Sequence, residues 1–292
     1  MYKCVNLSKD RIAELKRLSM MSTGFNVLNQ DFFKMYEKSS LIRQLIQRRK
    51  VRLLKKGSEF AGFVWFEYLA GNTCGIRALF SLEQDKIMTY RILLDSIPRC
   101  RNLQYKCRDN EYNFHILESL GFEKSEGEIE MSLGIRELDG FLENNSQDQE
   151  GLIFKNFEKG KDEGLRCWIQ NDIFKDNNRV PLILNDIFFD VSQDYFLEGG
   201  AAFLYKDGEC IGYGQIIIDG DVPYIVNIGL IEGQRGKGYG KILLMHFIEV
   251  VRNRGFDQVR LKVRSGNEAA LNLYRGVGFK TESEIYKWQL KR

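Results

Sequence analysis

The stretch Asn227-Ile-Gly-Leu-Ile-Glu-Gly-Gln-Arg-Gly-Lys-Gly-Tyr-Gly-Lys241 constrains this chain more than any other part of it. It joins a short apolar strand, Tyr224 to Leu230, to a helix on which Leu243, Leu244, Phe247, Ile248 and Val251 share one face, with Gly255 placed to end it. Beyond the helix, Val259, Leu261 and Val263 alternate with Gln258, Arg260, Lys262 and Arg264, the period-two pattern of a strand with one buried face. A strand, a glycine-rich turn and a helix gather several main-chain N–H groups at one point, where the helix dipole adds about half a positive charge. Such a turn suits a pyrophosphate, and Gly236, Gly238 and Gly240 let the backbone take positive φ and approach a ligand closely. Two other phosphate loops do not fit. Gly240-Lys241 is followed by Ile242 where a Walker loop needs Ser or Thr, and the glycines run G-x-G-x-G where a dinucleotide fingerprint needs G-x-G-x-x-G.

Ala201 to Tyr205, a Lys-Asp-Gly turn and Cys210 to Ile218 read as a hairpin, Asn267 to Arg275 as a short helix and Thr281 to Leu290 as a closing strand. The first half repeats this order. Ser8 is placed to cap a helix carrying Ile12, Leu15 and Leu18, and a second helix is expected over Asp31 to Gln47. A hairpin (Val51 to Leu54, Glu59 to Tyr68), a strand (Cys74 to Phe80), a helix (Asp85 to Ser96), a strand (Leu103 to Cys107) and a helix from Asn110 follow. Asn110-Glu111 and Gly121-Phe122 recur as Asn267-Glu268 and Gly278-Phe279 at an offset of 157 residues, which points to a duplicated domain. Polar turn residues between Asp139 and Gly151 place the boundary, giving domains over 1–138 and 151–292 with a linker over 139–150.

Composition narrows the function classes. With 43% apolar and 28% charged residues, and 3 Pro against 27 Gly, the 292-residue chain can bury a core. Apolar runs such as Phe63 to Phe66 fall far short of the ~20 residues a membrane span needs. The N-terminal stretch lacks the apolar region of a secretory signal, so a cytoplasmic location and no membrane partner are expected. Six cysteines without a CxxC pair and two histidines give no metal ligand set and no disulfide framework. Net charge is +3, the first 140 residues holding 23 basic and 18 acidic side chains. The cluster from Arg43 to Lys56 reads as a solvated helix end and strand start, and no nucleic-acid partner is expected.

Arg235-x-x-Gly238-x-Gly240 resembles the acyl-CoA pyrophosphate loop of the GNAT superfamily of N-acyltransferases. Asn267-x-x-Ala270-x-x-Leu273-Tyr274-x-x-x-Gly278-Phe279 resembles the motif that follows it there. The resemblance covers residues 150 to 292 well and the first half in outline. It implies an α/β (α+β) fold of two GNAT-like domains, each a twisted, mixed, mostly antiparallel sheet flanked by helices, whose fourth and fifth strands splay to admit acetyl-CoA.

Carried over residue by residue, Ile228, Gly229 and Leu230 would hold the pantetheine arm through the main chain, with the Leu230 N–H polarising the thioester oxygen. Arg235, Gly236, Lys237, Gly238, Tyr239, Gly240 and Lys241 would cradle the pyrophosphate. Asn267 would bond the pantetheine or cap its helix, in a Ser265 to Glu268 capping box, or do both. Tyr274 would hydrogen-bond the departing thiolate. Glu232, Asp219, Asp221, Asp186 and Asp190 are the carboxylates available to deprotonate the acceptor amine, and His246 is assigned to packing.

The first half departs from the pattern. Aligned on the Ile-Leu-Leu runs, Asp85, Met88 and Tyr90 stand where Arg235, Gly238 and Gly240 do, and at the offset of 157 Leu117 stands at the Tyr274 position, so this half is expected to have lost the cofactor. The whole then implies an N-acetyltransferase, monomeric or homodimeric, with one active site per chain. It would use acetyl-CoA, release CoA and acetylate a small-molecule or peptide amine by direct attack in a ternary complex. The rival reading is a catalytically silent acyl-CoA sensor or interaction module.

Overall fold

The computed structural model describes residues 1–98, 100–135, 151–176 and 179–292; the linker expected over 139–150 lies outside them. In chain order the elements are β1 (Tyr2–Asn6), α1 (Ile12–Ser19), α2 (Phe32–Tyr36), α3 (Leu41–Arg48), β2 (Val51–Lys56), β3 (Glu59–Leu69), β4 (Thr73–Ser81), α4 (Lys86–Asp95), β5 (Asn102–Arg108), α5 (Asn113–Ser119) and β6 (Glu123–Gly134). There follow β7 (Leu152–Asn156), α6 (Glu163–Ile173), α7 (Leu184–Val191), β8 (Phe196–Lys206), β9 (Glu209–Asp219), β10 (Val222–Leu230), α8 (Tyr239–Asn253), β11 (Gln258–Arg264), α9 (Glu268–Val277) and β12 (Lys280–Lys291).

These form two compact units, Met1–Glu128 with Ser283–Arg292, and Ile129–Glu282. The sequence places the division at 138 and 151 and keeps the chain's end with the second domain. In the structure the closing strand leaves it, because Ile285 to Lys291 pair antiparallel with Arg108 to Asn102 of β5. The first unit orders its strands β1-β2-β3-β4-β5-β12, and β4–β5 is its parallel pair. The second runs β6-β11-β10-β9-β8-β7, with β10–β11 parallel and β10–β9, β9–β8 and β8–β7 antiparallel.

Period-two alternation gives the second unit a core on each sheet face. Ile211 and Ile216 of β9 join Leu243, Leu244, Phe247 and Ile248 of α8 on one side. Tyr213 lies on the other, with Ile169 and Ile173 of α6 and Ile187 and Val191 of α7. The first unit gathers its own apolar side chains, among them Phe32, Phe63, Trp65 and Leu93.

Local differences from the sequence reading have physical causes. The helix expected over Asp31 to Gln47 divides into α2 and α3, each with its own cap residue, Asp31 and Ser40. Ser8 makes no side-chain cap, and α9 starts on Asn267 alone, whose side chain accepts from the Ala270 N–H at 3.2 Å, with no capping box from Ser265. Cys74 and Cys100 form a disulfide that their sequence spacing hides; the parallel pairing of β4 with β5 brings them to a Cα separation of 5.8 Å. Among the described residues no helix is long and apolar enough to cross a membrane.

Candidate active site

The site of the second unit forms where two parallel strands part. β10 pairs with β11 at Tyr224↔Arg260 and Ile225↔Leu261 and no further. Just beyond, its register against β9 slips between Val226 and Gly229, and Asn227 takes a left-handed φ of 53°. This bulge turns the end of β10 away from β11. The opening is a cleft of about 530 Å³ whose lining includes Ile217, Asp219, Tyr224, Asn227, Ile228, Asn267 and Tyr274.

The ladder geometry decides which backbone groups face that opening. The Ile231 N–H donates to the Ile211 carbonyl at 3.0 Å, so strand alternation turns both polar groups of Leu230 away from β9. The Leu230 carbonyl accepts from Arg235 Nε at 3.0 Å, and its N–H turns to the same side, away from β9. Gly229 has a packing role, because a Cβ there would lie 2.4 Å from Ile173 Cγ2.

The loop follows directly. A 3₁₀ turn, Glu232–Gln234, leads to Gly236 and Gly238 at φ 76° and 86°, left-handed values that any side chain would strain. Gly238 is the N-cap of α8, and the Lys241 N–H turns back to its carbonyl at 3.1 Å. Among the described residues the N–H groups of Gly236 through Gly240 donate to no main-chain acceptor, so the first turn of a 15-residue helix presents unspent donors. The Arg235 side chain is committed to protein: Nη2 donates to the Ile173 carbonyl at 2.7 Å and Nε to Leu230, stapling the loop to α6 and β10. Its amide donates to the Glu232 carbonyl, so Arg235 shapes the cradle without facing it. Lys237 is exposed, its Nζ 2.9 Å from Gln234 Oε1.

Tyr274 lines the cleft while only 7% exposed, and its hydroxyl makes no hydrogen bond among the described residues. Burial pushes its pKa up to about 12. The group is therefore a hydrogen-bond donor at physiological pH, never a base.

Of the five carboxylates named from the sequence, only Asp219 lines the cleft. Asp186 caps α7, accepting from the Ile183 N–H at 2.9 Å, while Asp221 and Glu232 are exposed outside the cleft. Asp190 is held by the buried Arg166, by the Tyr195 hydroxyl at 2.7 Å and by Gln215 Nε2 at 3.3 Å. Burial alone would raise its carboxyl, but these partners outweigh that and hold it below its ordinary value. It is a structural anion. His246 stacks flat on Phe154, ring centroids 3.8 Å apart, consistent with packing.

The sequence reading missed Asn227, Asp176, Lys262 and Arg264 at the cleft, and Tyr224, whose hydroxyl donates to Glu130 Oε1 at 2.5 Å. A non-glycine residue at positive φ leaves no periodic signature, and contacts such as Arg264 Nη1 to Asp176 Oδ2 at 3.3 Å join residues 88 positions apart.

The matching place in the first unit is filled by the chain itself. β4 and β5 also part after Ile76↔Tyr105. There the Asn29 side chain bonds both the N–H and the carbonyl of Leu79, at 3.2 and 3.1 Å, and the Gln30 N–H reaches the Arg77 carbonyl at 2.9 Å. On the other strand Asn26 Nδ2 donates to the Lys106 carbonyl at 2.9 Å and its Oδ1 accepts from the Arg108 N–H at 3.3 Å. The helix start is also spent, since Asp85 Oδ1 accepts from the Met88 N–H at 2.9 Å.

Residues 158–279 match the acetyltransferase (GNAT) family. Mycothiol acetyltransferase of Thermobispora bispora is 28% identical over 138 residues, 44% of this chain and 47% of that protein. N-alpha-acetyltransferase 30 of Schizosaccharomyces pombe is 30% identical over 67 residues, 23% of this chain and 45% of that protein. The match thus covers less than half the length of each relative. A GCN5-related N-acetyltransferase from Sphaerobacter thermophilus superposes with a TM-score of 0.54 at 14% identity, covering 99% of this chain and 95% of that one. A tandem GNAT protein from the clavulanic acid biosynthesis pathway gives 0.51 at 11%, covering 100% and 98%. At these identities the structural likeness bears on the fold alone. The glycine loop, the splayed strands and the residues that match the family all fall in the second unit, which is a GNAT acetyltransferase domain.

Proposed function

We propose that the chain is an acetyl-CoA-dependent N-acetyltransferase whose second unit carries its single active site. One observation carries this reading: the loop Gly236 to Gly240, whose N–H groups meet no main-chain acceptor among the described residues, follows β10, and β10 from Tyr224 to Ile228 lines a cleft with Asn267 and Tyr274. Those amides, with Lys237 and Lys241, suit a pyrophosphate, while the parted edges of β10 and β11 and Asn267 suit an extended amide-bearing arm. Acetyl-CoA supplies the acetyl group as a thioester, which a neutral amine converts to an amide as the C–N bond forms and the C–S bond breaks.

The protein's part is to hold charge. The Leu230 N–H donates to the carbonyl oxygen as negative charge grows on it. The Tyr274 hydroxyl donates to the departing sulfur, and full proton transfer is not needed. From a phenol at about 12 to a thiol at about 8.5 that transfer would be uphill by roughly 5 kcal/mol. The proton of the attacking nitrogen passes to water in the open cleft. Because an ammonium near pKa ~10.4 has no free electron pair, kcat/KM rises with pH toward the acceptor's own pKa.

A thiol-release assay over a panel of amines, alongside thermal-shift titration with acetyl-CoA, tests the reading. Turnover on at least one amine, with Tyr274→Phe slowing it, supports an enzyme. Stabilisation by acetyl-CoA with no turnover on any amine, and no effect of Tyr274→Phe, would support a silent sensor instead.

A further inference from the structure

Charge at the cleft is distributed unevenly between its two faces. Val259, Leu261 and Val263 of β11 point into the core shared with α8, so Lys262 and Arg264 emerge on the opposite face, where the end of α6 continues into Lys175, Asp176 and Arg179. None of the loop residues Gly236 to Gly240 lines that part of the cleft. Four cations and two carboxylates line the cleft there. Arg264 is paired with Asp176 at 3.3 Å. Lys175, Arg179 and Lys262 have no carboxylate partner among the described residues: the Arg179 guanidinium lies 5.0 Å from the Phe174 ring centroid, and Lys262 Nζ lies 5.4 Å from that of Tyr224. Three uncompensated cations thus face one uncommitted carboxylate, Asp219. Held beside aromatic faces at the mouth of a concave site, such cations raise the local concentration of anions.

We propose that the acceptor carries a carboxylate or phosphate in addition to its amine, and that Lys175, Arg179 and Lys262 receive that anion while Asp219 attracts the ammonium. This rests on the acetyltransfer reading above and names the substrate class for the same site. A plain monoamine would leave the cations unmatched, and a polyamine would be repelled by them.

Calorimetric titration of the full chain, saturated with CoA, tests this with two matched pairs: glucosamine 6-phosphate against glucosamine, and 4-aminobutyrate against 1-butylamine. The two pairs separate phosphate from carboxylate. The anionic member of at least one pair should bind about tenfold tighter, with the advantage shrinking as salt rises. The double variant Arg179→Ala/Lys262→Ala, at surface positions, should erase that difference and leave CoA affinity within about twofold of the parent. Equal binding of charged and neutral members in both pairs would overturn the inference. So would a double variant that loses CoA affinity, since the cations would then belong to the cofactor. An anionic amine that binds through these cations and is never acetylated would break the acetyltransfer reading and leave this inference standing. Acetylation of charged and neutral members alike would do the reverse.

Discussion

The Tyr274 side chain is held in a protonated state by burial, so the contribution we propose for it is a hydrogen bond to developing charge. Losing one such bond costs about 1.5 to 3 kcal/mol, so Tyr274→Phe should lower kcat about tenfold to a hundredfold. Steady-state kinetics checks this, with acetyl-CoA affinity unchanged and no tyrosinate limb below about pH 11. His246 makes a different prediction. Burial lowers its pKa from 6.5 to about 4, and its Nε2 is buried without a partner. Between those two values the unfolded chain binds a proton that the folded chain refuses, so stability rises with pH across that window. His246 therefore costs the fold nothing above pH 6.5 and up to about 3 kcal/mol as pH falls to 4. Denaturant melts of His246→Phe should show a shallower loss between those pH values; an unchanged slope would contradict the assignment. Tyr274, Asn267 and the loop glycines were legible in the sequence because their chemistry sits at fixed spacing. Tyr224 and Asp176 were not, since nothing local distinguishes a cleft aromatic or carboxylate from any other.

At the level of elements, the parting of β10 from β11 depends on two local devices. The bulge at Asn227 re-aims the strand, and the glycine at 229 lets α6 lie against it. Gly229→Ala must displace Ile173 and should cost about 1 to 3 kcal/mol in chemical denaturation. Gly238→Ala places a side chain at φ 86°, with a smaller stability loss of about 1 to 2 kcal/mol and weaker acetyl-CoA binding. Calorimetry on the folded variant separates the two effects. The β10, loop, α8 and β11 series was readable because amphipathic period and glycine placement agree there. The helix α7 was not, since Ile183, Leu184, Phe188 and Phe189, in it or at its start, are exposed and blur the one-sided pattern that marks a helix. The strand exchange that carries β12 into the first unit was equally hidden, being a matter of pairing between distant segments.

Across the whole molecule, the two units treat the parting of their parallel strands differently. In the second, strand edges and helix amides are left unspent. In the first, Asn26, Asn29 and Gln30 occupy the parted strands and Asp85 occupies the helix start, so the same backbone donors and acceptors are satisfied internally. The absence of glycine at Met88 and Tyr90 was visible in the sequence, whereas the asparagine plug is visible only once the strands are in place. Charge behaves similarly. The basic excess of the first half drew attention to Arg43 to Lys56, where Lys56 pairs with Glu83 at 2.7 Å, while the uncompensated cations line the second unit's cleft. The most direct test is calorimetric titration of the full chain with acetyl-CoA, alone and in the variants Gly238→Ala and Asp85→Ala. One site per chain, weakened by Gly238→Ala and indifferent to Asp85→Ala, is the predicted result; two sites per chain, or a single site that ignores Gly238→Ala, would contradict it.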